Sequence, residues 1–145
     1  MTQLTPYLCV ADARAAIAWY VAALGAEVTC EPIIMDDGGV GHCELAIGEA
    51  RWMVSDQFES AGVAAPDPTR GSAVSLHLTV TDVDSAAFRV VAAGASMARG
   101  PEDSPPAGRV GTRRLDNPGP TRPAGGLWLS SEPAGSGTSG DRRGR

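Results

Sequence analysis

The sequence predicts an α+β fold in which two tandem β-α-β-β-β modules form an open, curved sheet around a cavity. Three observations carry this prediction. An internal repeat relates residues 5–28 to residues 75–97, helix-cap signals stand at matching places in both copies, and a series of strand-like segments separated by glycine turns follows the first copy.

The repeat keeps the same landmarks in the same order, with one gap opposite Leu24. Its identical residues include the pairs Leu8/Leu78, Val10/Val80, Asp12/Asp82 and Gly25/Gly94. Because these pairs cover a strand, a helix cap and a helix stop in succession, we interpret the two segments as copies of one supersecondary unit.

The first strand and helix follow from residue spacing. Leu8 and Val10 recur with the period of two that is typical of a half-buried strand. Asp12 then stands at an N-cap position and Gly25 at a C-cap position. Between them lies one apolar stripe at helical spacing, made of Ile17, Tyr20, Val21 and Leu24.

A three-stranded antiparallel meander is predicted next. Its strands are residues 27–35, 40–47 and 51–55, and its turns are residues 36–39 and 48–49. In the strand predicted at residues 40–47, we expect Leu45 to face the helix.

The second copy predicts another helix, between Asp82 and Gly94. Proline and glycine are so dense between residues 98 and 127 that we expect the C-terminal third to be irregular.

The chain then divides into one domain over residues 1–131 and a disordered tail at 132–145. The domain consists of a first module at about 4–56, a linker at 57–72 and a second module at about 73–131.

Composition excludes several classes of partner. The formal net charge is −5, without a basic run that could follow a phosphate backbone, so no nucleic-acid partner is expected. No apolar stretch is long enough to span a bilayer and no signal peptide is recognised, so no membrane partner is expected. Three cysteines without a CxxC pair favour the reducing cytoplasm, and we expect Cys9 and Cys43 to be small core residues.

The ordered motifs are Tyr7-Leu8-x-Val10-x-Asp12, then Glu44-Leu45, Trp52–Asp56 and Ser75–Asp84. Together they resemble the vicinal oxygen chelate superfamily, which includes glyoxalase I, bleomycin-resistance proteins and extradiol dioxygenases. The last two motifs are most similar to the PhnB-like branch. The resemblance implies a small-molecule ligand and a homodimer.

The resemblance also locates the metal ligands of metal-dependent members. It places them on the first and last strands of each module, which here gives Thr5, Met53, Ser75 and Leu129. None is a histidine or carboxylate, and hydroxyl and thioether groups are poor ligands for divalent Ni, Zn or Fe. We therefore expect no metal or other cofactor at these positions.

Strand alternation predicts which side chains face the cavity. If the leucines and valines pack on the helices, the residues between them face inward. The candidate ligand-cavity residues are Tyr7, His42, Glu44, Met53, Ser75 and His77. His42 and Glu44 opposite His77 form a displaced metal site, an acid–base pair, a ligand contact or a set of hydrogen-bonded wall residues; the sequence leaves these alternatives open.

Two function classes follow. The first is a small-molecule-binding protein of the glyoxalase/bleomycin-resistance type, without the usual metal site, that sequesters a drug or metabolite. The alternative is a metal-dependent lyase or dioxygenase of the same superfamily, with a divalent metal displaced to His42, Glu44 and His77. The sequence does not decide whether the protein is an enzyme.

Overall fold

Asp12 and Gly25 bound the first helix as the sequence predicts. Strand β1 covers Tyr7–Val10 and helix α1 covers Ala13–Leu24. The Asp12 carboxylate accepts a hydrogen bond from the backbone N–H of Ala15, which satisfies a donor that the helix itself leaves free. Gly25 ends the helix at a φ of 69°, in the left-handed region that glycine tolerates.

The computed structural model describes residues 1–67, 69–70, 74–95, 97, 99–103, 109–113 and 126–131. The predicted meander is present as β2 (Glu27–Ile34), β3 (Val40–Ile47) and β4 (Ala50–Asp56). Strand β1 pairs in parallel with β4, and the sheet order is β1-β4-β3-β2.

The second module repeats this order. It consists of β5 (Ser75–Val80), α2 (Val83–Ala92), β6 (Arg99–Asp103), β7 (Arg109–Arg113) and β8 (Gly126–Ser131). Its sheet order is β5-β8-β7-β6, the counterpart of the first sheet, and β5 pairs in parallel with β8. The α+β fold with open, unclosed sheets is therefore confirmed.

The C-terminal third forms short strands despite its proline and glycine. Strands β6 and β7 have five residues each, and their pairing shifts register between Arg99 and Glu102. Eight of the twelve prolines and glycines between residues 98 and 127 fall at positions outside the described residues. The tail predicted at 132–145 also lies outside them.

One apolar core joins the two modules. It collects apolar side chains from the inner sides of the helices and from the sheet faces that they cover, including Leu8, Leu45, Val54, Val90 and Leu129. The helices α1 and α2 pack against each other, and the indole N–H of Trp19 donates to the carbonyl of Ala93 at 3.0 Å. The helices therefore connect the modules, and each sheet turns its other face away from the core. Neither helix of the described chain is long and apolar enough to cross a membrane.

Candidate functional site

A cavity of about 540 Å³ opens on the face of the first sheet that points away from α1. Those of its lining residues that the structure describes come from the first module and the segment that follows it. They are Tyr7, Cys9, Ile33, Met35, Gly41, His42, Ser55, Asp56, Phe58 and Val63.

Strand register places the polar part of this lining. Tyr7 pairs with Met53, and Met53 pairs with Glu44, so these three residues form one row across β1, β4 and β3. Cys9 pairs with Ser55 in the next row on the same face. Met53 and Glu44 share the row of Tyr7, but neither is among the residues that line the cavity.

Tyr7, His42 and Glu44 form a continuous polar network. The Tyr7 hydroxyl lies 2.9 Å from Nδ1 of His42 and 3.0 Å from the carbonyl oxygen of Gly41. Nε2 of His42 lies 3.2 Å from Oε1 of Glu44. The phenol and imidazole rings meet edge to face, with centroids 5.5 Å apart.

Counting protons shows what this network requires. The Tyr7 hydroxyl has one proton, so if it donates to Gly41 it must accept from His42. All three contacts then form together only when the imidazole carries both of its N–H protons, one for Tyr7 and one for Glu44. Either neutral tautomer makes two of the three.

Asp56 lines the cavity, and both of its carboxylate oxygens already accept hydrogen bonds. One carboxylate oxygen accepts from the backbone N–H of Ala13 at 2.6 Å, and the other accepts from that of Val40 at 2.7 Å. Asp56 thus ties the end of β4 to the start of α1 and the start of β3. Its role in this position is to hold the wall together.

Two of the three thiols are kept protonated by their surroundings. Burial, and then the nearby negative charge of Asp56, raises the pKa of the Cys9 thiol above its usual value. Burial likewise raises the pKa of Cys43, which lies in the core as expected. Cys9 lines the cavity instead of the core, because it alternates with the buried residues Leu8 and Val10.

The remaining wall is apolar and half exposed. Ile33 and Met35 come from β2 and its turn, and Phe58 and Val63 come from the segment after β4. Phe58 and Val63 are held as a pair, since the backbone N–H of each donates to the carbonyl of the other, at 2.7 and 3.0 Å. The short helical turn at Glu59–Ala61 connects them.

The second module presents a different arrangement at the matching places. Nε2 of His77 lies 2.7 Å from the hydroxyl of Ser130, and Ser75 is exposed at the start of β5. Neither Ser75 nor His77 lines the cavity of the first module. Glu44 contacts His42, and His77 contacts Ser130, so the two residues have different partners in the described chain.

The position inferred at Leu129 needs a correction. Leu8 pairs with Val54 and Leu78 pairs with Leu129, so Leu129 corresponds to Val54 and not to Met53. Since neighbouring residues of a strand face opposite sides, Leu129 packs in the core, with 1% of its surface exposed.

Metal-binding potential can be judged from the donors themselves. Within the described ranges, no three His, Cys, Asp or Glu side chains lie close enough to hold an ion, so His77 does not complete a site with His42 and Glu44. Of the positions implied by the resemblance, Thr5 and Ser75 offer hydroxyls and Met53 offers a thioether, while Leu129 is a buried hydrocarbon that does not correspond to Met53. This donor set does not fit a divalent transition metal.

Sequence reasoning missed part of the wall. Ser55 carried a signal, because it follows Met53 at the strand period of two. Phe58 and Val63 fall in the segment interpreted as a polar linker, and their place depends on tertiary contacts that no local pattern shows.

Comparisons with known proteins agree with this architecture. Residues 2–128 match the family described as the glyoxalase/bleomycin resistance protein/dioxygenase superfamily. Uncharacterized proteins of Mycobacterium bovis and Mycobacterium tuberculosis are 38% identical over 103 residues, which is 69% of this chain. The matched segment covers 67% of the first relative and 60% of the second, less than two thirds of its length.

The fold also matches solved structures. An antibiotic binding protein from Streptomyces sp. CB03234, TnmS3, superposes with a TM-score of 0.61 at 17% identity, over 92% of this chain and 98% of that one. At this identity the match concerns the fold alone.

Proposed function

Because the chain belongs to the glyoxalase/bleomycin resistance protein/dioxygenase superfamily, we propose that it is a small-molecule-binding protein that sequesters a drug or metabolite in the cavity of its first module. One observation carries the proposal: an open cavity of about 540 Å³ with a mainly apolar wall and a few convergent polar groups. Cavities of this size and character accept drug-sized ligands. The antibiotic-binding protein with the same fold lends further support.

We propose in addition that the usual metal site of the superfamily is lost. The donor set at Thr5, Met53 and Ser75 supports this, because none of these side chains is a histidine or a carboxylate. The alternative, a metal-dependent lyase or dioxygenase, draws on the His42–Glu44 contact, but it requires His77 to join them. In a single chain His77 is bonded to Ser130.

Three finer assignments belong to the same proposal. We place the chain in the PhnB-like branch on the strength of the Trp52–Asp56 and Ser75–Asp84 motifs. We propose a homodimer on the strength of the family resemblance. We propose the cytoplasm as its compartment, which its free thiols support.

Thermal stabilisation tests the central proposal. The protein is screened against a panel of antibiotics and aromatic metabolites, since a ligand that binds the native state raises Tm with its concentration. We expect at least one compound to raise Tm in a saturable way, and Tyr7→Ala to weaken the effect while Ser130→Ala in the second module preserves it. A panel without any saturable shift contradicts the proposal.

Metal analysis separates the two function classes. The protein is purified without a histidine tag and its metal content is measured by mass spectrometry. We expect less than a stoichiometric amount of any transition metal. A stoichiometric metal that is lost in His77→Ala would favour the enzyme instead.

A further inference from the structure

The cavity offers no free charge to a ligand. Among the described lining residues, Asp56 is the only carboxylate, and both of its oxygens accept backbone N–H groups. His42 is the only basic group there, and both of its ring nitrogens are engaged, one by Tyr7 and one by Glu44. A charged ligand would therefore lose its water without gaining a counter-ion, which is costly in a mainly apolar cavity.

One polar group of the cavity wall, the Ser55 hydroxyl, remains available to a ligand. Ser55 lines the cavity with 8% of its surface exposed, and its hydroxyl makes no hydrogen bond to any other residue that the structure describes. The repeat shows that this is specific to the first module. Ser55 pairs with Cys9, and Ser130 pairs with Thr79 at the matching place, but the Ser130 hydroxyl is occupied by His77.

The replacement at one repeat position explains the difference. Where the second module has His77, the first has Tyr7, whose hydroxyl turns to His42 and Gly41 on β3. Ser55 is thereby freed from an internal partner. The Ser55 hydroxyl is open to the cavity, so a ligand that enters there can bond to it in place of water.

From these observations, and resting on the proposed function, we propose that the ligand is an uncharged, mainly apolar molecule with a hydroxyl or carbonyl group, and that Ser55 binds this group. The apolar part of such a ligand lies against Ile33, Met35 and Phe58. Ser55 then determines specificity: it distinguishes an oxygen-bearing ligand from a pure hydrocarbon of the same shape.

A matched set of naphthalene probes tests the ligand class. At pH 7, 2-naphthol is neutral with a hydroxyl, 2-methylnaphthalene is neutral without one, 2-naphthoate is an anion and 2-naphthylmethylammonium is a cation. Their Kd values are measured on the full chain by titration. We expect 2-naphthol to bind about tenfold more tightly than either ion, because ions pay the larger desolvation cost.

The variant Ser55→Ala tests the residue. We expect this variant to bind 2-naphthol about fivefold more weakly, which corresponds to the loss of one hydrogen bond, and to bind 2-methylnaphthalene with unchanged affinity. Ser130→Ala, which replaces the matched serine of the second module, should change the affinity for neither of these two probes. Tighter binding of an ion, or an equal effect of Ser55→Ala on both neutral probes, overturns the inference alone. Absence of binding by all four probes contradicts the proposed function as well. The comparison of the four probes on the unaltered protein stands even if Ser55→Ala fails to fold.

Discussion

The Tyr7 hydroxyl lies 2.9 Å from Nδ1 of His42, and the two rings meet edge to face at the cavity wall. These residues are far apart in the sequence, and the parallel pairing of β1 with β4 brings β1 onto the same sheet as β3. The contact joins the aromatic residue to the histidine that in turn reaches Glu44. Substitutions at Tyr7 and Glu44 can therefore test this network from both of its ends.

Tyr7→Phe removes the hydroxyl and keeps the ring. We expect the ¹⁵N shift of His42 Nδ1 to change, because its hydrogen-bond partner is lost. The free energy of unfolding should fall by less than about 1 kcal/mol, because Tyr7 is 53% exposed. The chain has two histidines, so His77 is an internal control in the same spectrum and should not shift. An unchanged His42 signal would show that the two groups do not bond in solution.

Glu44→Gln tests which histidine the carboxylate contacts. We expect it to change the His42 Nε2 resonance and leave that of His77 in place, because Glu44 lies 3.2 Å from His42 and His77 contacts Ser130. Ser130→Ala should give the reverse pattern. A His77 response to Glu44→Gln would indicate that the two modules share one site, as the sequence suggested.

Much of this site could be predicted from the chain, and the reason is periodicity. The period of two correctly separates Leu45, on the helix face, from His42 and Glu44 on the other face. It cannot say whether the faces of two sheets meet, because that depends on how the helices pack. It also failed at Leu129, where the register of β8 differs by one residue from that inferred from Trp52.

Asp56→Asn replaces one carboxylate oxygen with an NH₂ group, and we expect this small change to destabilise the folded protein strongly. The carboxylate accepts two backbone N–H groups, whereas an amide offers one acceptor oxygen and turns an NH₂ group toward the other donor. We expect a loss of about 1–3 kcal/mol in the free energy of unfolding, measured by urea titration. Asp12→Asn is the matched control: it makes a single N-cap bond, to Ala15, which asparagine makes equally well. Equal losses in the two variants would argue against the double role of Asp56.

Gly41→Ala should narrow the cavity. A Cβ atom there would lie 2.6 Å from Sδ of Met35, so the Met35 side chain must move, and it is part of the cavity wall. We expect 2-naphthol to bind roughly fivefold more weakly, the equivalent of about 1 kcal/mol of strain. Gly100→Ala provides the control, because a Cβ at that strand position meets nothing within 4 Å. Unchanged affinity in Gly41→Ala would place the ligand away from Met35.

Cys9 offers a chemical probe of the cavity. Burial and the negative charge of Asp56 raise the pKa of its thiol above the ordinary value of 9.0, so the thiol stays protonated at neutral pH. Iodoacetamide reacts with thiolates, and we therefore expect Cys9 to be alkylated more slowly than glutathione at pH 8, with a rate that climbs as the pH passes 9. Bound 2-naphthol should slow the reaction further, because Cys9 lines the cavity.

The same raised pKa has a consequence for stability. The folded state binds the Cys9 proton more tightly than the unfolded state does, so this contribution is fully present below pH 9 and is lost as the pH rises through the native pKa of the thiol. Urea titrations from pH 8 to pH 10.5 should show the free energy of unfolding falling with pH, and falling less steeply in Cys9→Ser.

Mass spectrometry of the alkylated peptides distinguishes Cys9 from Cys43, whose burial in the core should leave it unmodified in the folded protein. Alkylation of Cys9 faster than glutathione at pH 8 would mean that a thiolate faces the cavity, contrary to the raised pKa of this thiol.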